Sequence, residues 1–310
     1  MANELFYSYG ARFDGTYLGQ ADDQSVETNL SDLISYQSGD YAPGYTGAKS
    51  SAPEYKLDTM DVSSVFSLVS SGNGGVDDIV RDFSAGNVDW LYRAAANRST
   101  REAVATQKHY IYRMIQNAMF YWESFRADSK GEISLSTKTI ATLKGANPVT
   151  TLIPNQALPT ASDVANLYTM GKVVVNGTTI TRLQSINWNN GVKIENELAD
   201  GAESPTFAGI DEIRPICQFE SQDLAAVGAF GFDGFPISNN FDVYLRKRKI
   251  GKINYPDSDT VHIRLRATAG TVLFGRVSGA KAAVNCRCLM SRPVGGGNVF
   301  AVTTGVAIPS

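Results

Sequence analysis

The feature that most constrains this chain is that it repeats itself. Asn87, Asp89, Arg93, His109 and Arg113, in and after NVDWLYR, return 153 positions later as Asn240, Asp242, Arg246, His262 and Arg266, in and after NFDVYLR. The two histidines of the protein are therefore a matched pair. Upstream the spacing is 162, with Pro53 and Asp61 answering to Pro215 and Asp223. Downstream it is 150, with Gly145, Val149, Ala157 and Pro159 answering to Gly295, Val299, Ala307 and Pro309. Loop insertions and deletions change such spacings without changing the order of the matches. The expectation is a duplicated unit. The boundary falls at the short polar link Pro159-Thr160-Ala161-Ser162, which gives a first domain over 1–160 and a second over 161–310, each of ordinary domain size.

Each unit reads as mainly β. In VHIRLRA, Val261, Ile263 and Leu265 alternate with His262, Arg264 and Arg266, the period of a strand with one face buried. In the first unit Tyr110, Tyr112 and Met114 take the corresponding apolar face, and His109, Ile111 and Arg113 the other. Further strands are expected at KVVVNG, TRLQSINW, VKIENEL, RPICQFE, TVLFGRV, AAVNCRCLM and FAVTTGVAI, with AMFYWESF, EISLSTKTI and VTTLI as first-unit counterparts. A short helix is expected in each unit after the Pro-led strand, over Val62 to Val69 and from Leu224, with a hydroxyl residue as N-cap and an Asp in the first turn. A second helix over 76–83 is expected in the first unit only. The fold class is mainly β: tandem, duplicated β-sandwich domains, each with a short helix. Asp89 with Arg113, and Asp242 with Arg266, are expected to pair across adjacent strands, because both members of each pair recur while the residues between them change.

Charge and chemistry narrow the function. With 28 Lys+Arg against 31 Asp+Glu the chain lacks the basic excess of a dedicated nucleic-acid binder. Residues 1–160 carry 13 Lys+Arg against 18 Asp+Glu, and residues 161–310 carry 15 against 13, so the halves are electrostatically complementary. One histidine per unit cannot build a His-rich metal centre, Cys286-Arg-Cys288 is not a zinc knuckle, and no Gly-x-Ser-x-Gly elbow is present. No catalytic residue, cofactor or metal is expected, and the protein is expected not to be an enzyme. Cys217, Cys286 and Cys288 are expected as reduced, partly buried thiols. The glycines Gly295 to Gly297 read as a turn, and Trp90, Trp122 and Trp188 as core or interface aromatics. MANELFYSYGARFDG lacks a basic stretch followed by an apolar one, so no secretion signal is expected, and no apolar run is long enough to span a membrane.

The second unit carries VVVNGTTITRLQSINWNNGVKIENELADGAESPTF, then RPICQFESQDLAAVGAF, then late strands ending VFAVTTGVAIP. This succession resembles the major tail-tube proteins of long-tailed (siphovirus-like) bacteriophages, and through the repeat the likeness extends to the first unit as two fused tube domains. The resemblance implies a virion structural protein whose subunits form rings, the rings stacking into a tail tube through which the genome passes. Single-domain members make six-fold rings, so a fused pair implies a trimer with a pseudo-six-fold ring. The implied partners are further copies of the chain, other tail proteins, and genomic DNA passing without specific binding. The implied location is the virion tail, assembled in the bacterial host cytoplasm. Two other readings compete: a double-jelly-roll major capsid protein, and a tandem carbohydrate-binding or adhesin-like module.

One dense charge run is left over. Arg246, Lys247, Arg248 and Lys249 with Lys252 are the candidate subunit contact, expected to meet an acidic surface on the first unit of another copy. The matching first-unit positions read Arg93, Ala94, Ala95, Ala96 and Ser99, so the site differs between the units. Asp22, Asp23, Asp77 and Asp78 are the acidic candidates.

Overall fold

The computed structural model describes residues 5–19, 21–27, 31–36, 43–50, 52–70, 75–83, 87–95, 109–115, 118–129, 131–143, 149–159, 166–197, 204–230, 234–249, 254–278 and 283–309. The first half contains β1 (Leu5–Phe13), β2 (Thr16–Leu18), β3 (Ala21–Glu27), β4 (Ser31–Tyr36), β5 (Pro43–Ser50), β6 (Glu54–Thr59) and α1 (Val62–Val69). It continues with β7 (Gly75–Val76), β8 (Val80–Phe83), β9 (Asn87–Ala95), β10 (His109–Ile115), β11 (Ala118–Asp128), β12 (Ser134–Ala141) and β13 (Thr150–Gln156). The second half contains β14 (Tyr168–Val175), β15 (Thr178–Ile180), β16 (Leu183–Asn189), β17 (Lys193–Glu197), β18 (Phe207–Glu212), β19 (Ile216–Ser221) and α2 (Leu224–Gly228). It ends with β20 (Phe235–Pro236), β21 (Phe241–Lys247), β22 (His262–Ala267), β23 (Gly270–Ser278), β24 (Ala283–Met290) and β25 (Ala301–Val306). The protein is mainly β, with two short helices among the described residues.

Each half has its own five-stranded sheet, in the order β13-β10-β9-β1-β2 in one and β25-β22-β21-β14-β15 in the other. A single large sheet is shared. Its path is β20-β23-β24-β19-β16-β11-β12-β6-β3, with β8 and then β7 attached to β11. The first half supplies β3-β6-β12-β11-β8 and the second supplies β16-β19-β24-β23-β20, so the two halves have the same strand connectivity. The register agrees in detail: Ala21 to Glu27 pair with Thr59 to Glu54 as Leu183 to Asn189 pair with Ser221 to Ile216, with a bulge at the same place in each. Between β1 and β2 the chain turns on Asp14-Gly15 (φ 45° and 88°), and between β14 and β15 on Asn176-Gly177 (φ 48° and 86°). Both central residues of such a two-residue hairpin need positive φ, which Asp, Asn and Gly tolerate best.

The small sheets stack on the large one through aromatic contacts. Phe13 of β1 meets Phe120 of β11 at 4.6 Å between ring centroids, Tyr55 of β6 stacks on Trp90 of β9 at 5.2 Å, and Phe219 of β19 meets Phe241 of β21 at 6.1 Å. Burying each such ring stabilises by about 1.5–3 kcal/mol. The buried cores of the halves are continuous. Trp122 lies 6.3 Å from Trp188, and Phe300 lies 5.9 Å from one and 5.0 Å from the other. All three tryptophans are fully buried. Asn190 joins the pair by accepting from Trp188 Nε1 at 2.8 Å and donating to the Trp122 carbonyl at 2.9 Å, which leaves those polar atoms satisfied.

Three local expectations need correcting. Residues 76–83 form a hairpin, not a helix, because Asp77 and Asp78 both take φ of 53° and turn the chain between β7 and β8. Helices α1 and α2 begin where expected, but their N-caps are Asp61 and Asp223. The hydroxyl residues two positions earlier tie the chain elsewhere. Thr59 Oγ1 donates to the Gly19 carbonyl and accepts from Asp61 N–H, as Ser221 Oγ donates to the Thr181 carbonyl and accepts from Asp223 N–H. In β10, alternation puts Ile111 on the polar face, yet it is buried there, opposite the buried Leu91 of β9.

Candidate assembly surfaces

The recurrent charges organise the small sheets. Asp89 and Asp242 are almost fully buried on central strands β9 and β21, opposite Arg113 and Arg266. Asp89 accepts from Arg113 Nε at 2.6 Å and Nη2 at 3.1 Å; Asp242 accepts from Arg266 Nε and Nη2, both at 2.6 Å. The expected pairing is present in both halves. Asp89 also takes Arg12 Nε at 3.1 Å, whereas Asp242 takes the Asn240 amide. The carboxylate hydrogen bonds raise Arg113 and Arg266 above the ordinary guanidinium range. The matched histidines make the same backbone contact. His109 Nδ1 accepts Ala94 N–H at 3.2 Å, and His262 Nδ1 accepts Lys247 N–H at 3.0 Å. With Nδ1 accepting, the ring proton of His262 sits on Nε2 and is donated to the Pro256 carbonyl at 2.8 Å.

The basic run is only partly free for a partner. Arg246 forks onto Asp257 within its own half at 2.8 and 3.1 Å. Burial alone would raise the Asp257 carboxyl, but Arg246 and Lys172 outweigh that and hold it below its ordinary value. Arg248 reaches into the first half of the same chain, where it pairs with Glu132. Lys249 is exposed and stands 4.8 Å above the Tyr255 ring. Lys252 lies outside the described residues. No sequence signal marks either partner: Asp257 lies in the connection that follows the run, and Glu132 is brought near from the other half by the folded sheet order.

Asp77 and Asp78 must be withdrawn from the acidic surface candidates. They are buried at 4% and 5% exposure and serve as a clasp between the halves. Asp77 pairs with Arg292 at 3.0 Å and accepts Val299 N–H at 3.3 Å, while Asp78 accepts Val302 N–H at 2.7 Å. Backbone N–H groups of β25 and the loop before it are thus satisfied by first-half carboxylates. The side chains of Asp22 and Asp23 lie outside the described residues, though their backbones sit on β3.

A second junction is the strand pair β11–β16. The early part of β11, Ala118 to Tyr121, pairs with β8; its later part pairs with β16, from Ser124 opposite Asn189 to Asp128 opposite Ser185. This antiparallel seam fuses the two halves of the large sheet. Where the halves meet, the face away from the core is mainly polar, as on a sheet with one solvated face. Across it Arg126, Asn187, Gln218 and Arg287 stand in one row on successive strands β11, β16, β19 and β24. Lys138 bridges Glu123 at 3.0 Å and Glu54 at 3.6 Å on the first-half side.

The hairpin β17–β18 lies over the first half. Its Ile194, Ala208 and Ile210 pack on the core, and Leu143 N–H donates at 2.7 Å to the carbonyl of Pro205, between the two strands. Between this hairpin and β8 and β11 runs a groove of about 340 Å³, with Val76, Met119 and Phe207 among its walls.

All three cysteines are free and buried. Cys217 stands opposite Cys288 on β19 and β24, and burial raises both thiols, with Cys286 pushed up to about 11. Thiols kept protonated in this way are poor nucleophiles. Among the described residues no three His, Cys, Asp or Glu side chains are grouped as a metal site, and no helix is long and apolar enough to cross a membrane. No protein-family model matches the chain, and a search of curated proteins finds no relative.

Proposed function

We propose that this protein is a structural subunit of a bacteriophage virion, a tail-tube protein built from two fused and duplicated tube domains. Three chains would complete a pseudo-six-fold ring, and stacked rings would form the conduit for the genome. One observation carries the reading. Two halves of the same connectivity stand edge to edge in one sheet, joined by an ordinary antiparallel strand pair, with a row of polar side chains crossing the seam on the open face. Repeating one such step lays units side by side with their polar faces turned the same way, which a conduit needs on its wall. The face mixes both signs, with Arg126 and Arg287 against Glu123 and Glu220, so it offers no uniformly basic bed to hold phosphates and slow DNA. The fully buried tryptophans speak against a sugar-binding module, which would present such rings to its ligand. Within the basic run, Lys247, Lys249 and Lys252 remain proposed as a contact to another subunit, since Arg246 and Arg248 are engaged inside the chain.

Negative-stain microscopy of the purified protein, concentrated across a range of salt, tests this. Rings or tubes of constant diameter are expected. Closed shells would replace the reading with the capsid one, and monomers at every concentration and salt would remove both.

A further inference from the structure

The seam inside the chain has an unfilled counterpart at each end of the large sheet. In the first half the later part of β11 is covered by β16. Its equivalent in the second half is the later part of β23, which among the described residues pairs only with β24. At the opposite end, the equivalent of β16 is β3, which pairs with β6 and is the terminal strand of the path. One end of the molecule therefore presents the strand that the seam needs, and the other end presents the strand that receives it.

We propose that β23 of one copy pairs antiparallel with β3 of a second copy, repeating the β11–β16 seam between molecules. This rests on the tube reading and names the contact that would build its ring. The equivalences fix the register. Residues of β11 map onto β23 at a spacing of 152 through their partners on β12 and β24, and residues of β3 map onto β16 at a spacing of 162. Ser124 opposite Asn189 then becomes Arg276 opposite Glu27, and Phe125 opposite Trp188 becomes Val277 opposite Val26.

Two independent observations favour a second copy as the occupant. Phe125 is 2% exposed in the internal seam, whereas Val277 at the equivalent position is 52% exposed, an apolar side chain left uncovered at an open edge. The two strand sequences are also complementary in charge: ADDQSVE of β3 holds three acids and no cation, and GTVLFGRVS of β23 one cation and no acid. Unpaired edges invite strand addition, and these edges carry no proline within their strands to prevent it. A contact joining two different edges is head-to-tail, and it yields a closed ring when the rotation per copy closes.

The test mixes a Val26→Cys protein with a Val277→Cys protein under mild oxidation with copper phenanthroline. Residues directly opposite in antiparallel strands have Cα atoms about 4.5–5.5 Å apart, within disulfide range. A covalent dimer is expected in the mixture and in neither protein alone, and the double variant is expected to give a ladder of covalent oligomers. Ser25→Cys mixed with Val277→Cys points to opposite faces and is expected to stay unlinked. Should a cysteine variant fold poorly, the charge exchange serves instead: Glu27→Arg and Arg276→Glu each weaken association, and the two together restore it. Rings or tubes that assemble without the Val26–Val277 crosslink would overturn this pairing and leave the tube reading standing. Crosslinked chains that build shells would uphold the pairing and remove the tube. Equal crosslinking at Ser25, or no rescue by the paired charge exchange, would refute the register.

Discussion

Replacing Asp89 with alanine should destabilise the protein more than the same change at Asp242, although the two occupy equivalent places. Each carboxylate is 2% exposed and accepts a forked Arg from the neighbouring strand. Removing one partner of a fully buried ion pair costs about 3–5 kcal/mol, because the other charge is left without compensation. Here the guanidiniums are about a third exposed and recover part of their hydration, so the loss at Asp242 should be about 2 kcal/mol. Asp89 holds two cations, Arg12 and Arg113, on the strands flanking it. Without the carboxylate they would be left as neighbouring like charges, and about 1 kcal/mol more should be lost. Urea unfolding followed by fluorescence of the buried tryptophans gives both values at unchanged slope. A double-mutant cycle of Asp89→Ala with Arg113→Ala should show coupling of about 1–3 kcal/mol. If Asp242→Ala proves as costly as Asp89→Ala, or if the coupling falls below about 0.5 kcal/mol, the paired carboxylates are not what hold the small sheets in register.

Other consequences are checked more briefly. Burial, followed by the nearby Arg93, lowers the His109 pKa, so its neutral form contributes stability that is complete above the ordinary histidine value and is lost as pH falls through the lowered one. Urea titrations at stepped pH should show this acid-side loss, and His109→Gln should flatten it. Asp77→Ala with Asp78→Ala should release the N–H groups of Val299 and Val302, read as faster hydrogen exchange there while β11 and β12 stay protected. Arg248→Glu should destabilise the monomer by meeting Glu132 with like charge, whereas Lys247→Glu with Lys249→Glu should leave its stability unchanged and alter assembly in a salt-dependent way. The three thiols should resist a disulfide reagent in the folded protein and react fully once it is unfolded.

What is legible in the sequence is what local pattern and repetition carry. The matched identities at spacings of 153 and 162 lie on or beside strands that occupy equivalent places, and both helices start at the expected residues. The Asp89–Arg113 and Asp242–Arg266 pairs follow from recurrence alone. The strands of residues 5–50 escape that reading, although Asp14-Gly15 and Asn176-Gly177 repeat at the spacing of 162 and mark the same turn. The helix expected at 76–83 fails because Asp77 and Asp78 are held by residues more than 200 positions away, and no local propensity records that. For the same reason the β11–β16 seam leaves no trace in the sequence. It joins strands of different halves, and nothing in either strand's alternation names its neighbour.

The Asp77–Asp78 clasp also bears on how the chain reaches its native state. The turn between β7 and β8 is made early in synthesis, but the N–H groups that satisfy its two carboxylates lie beyond residue 298. Until the last strand arrives, the first half carries two carboxyl groups at a site that will become dry, and the Trp122–Trp188 pair lacks the Phe300 ring that packs on both. The closing strand therefore completes both halves at once. Unfolding should follow as a single cooperative transition across the whole chain, since melting either half strips the other of the partners that make its interior tolerable.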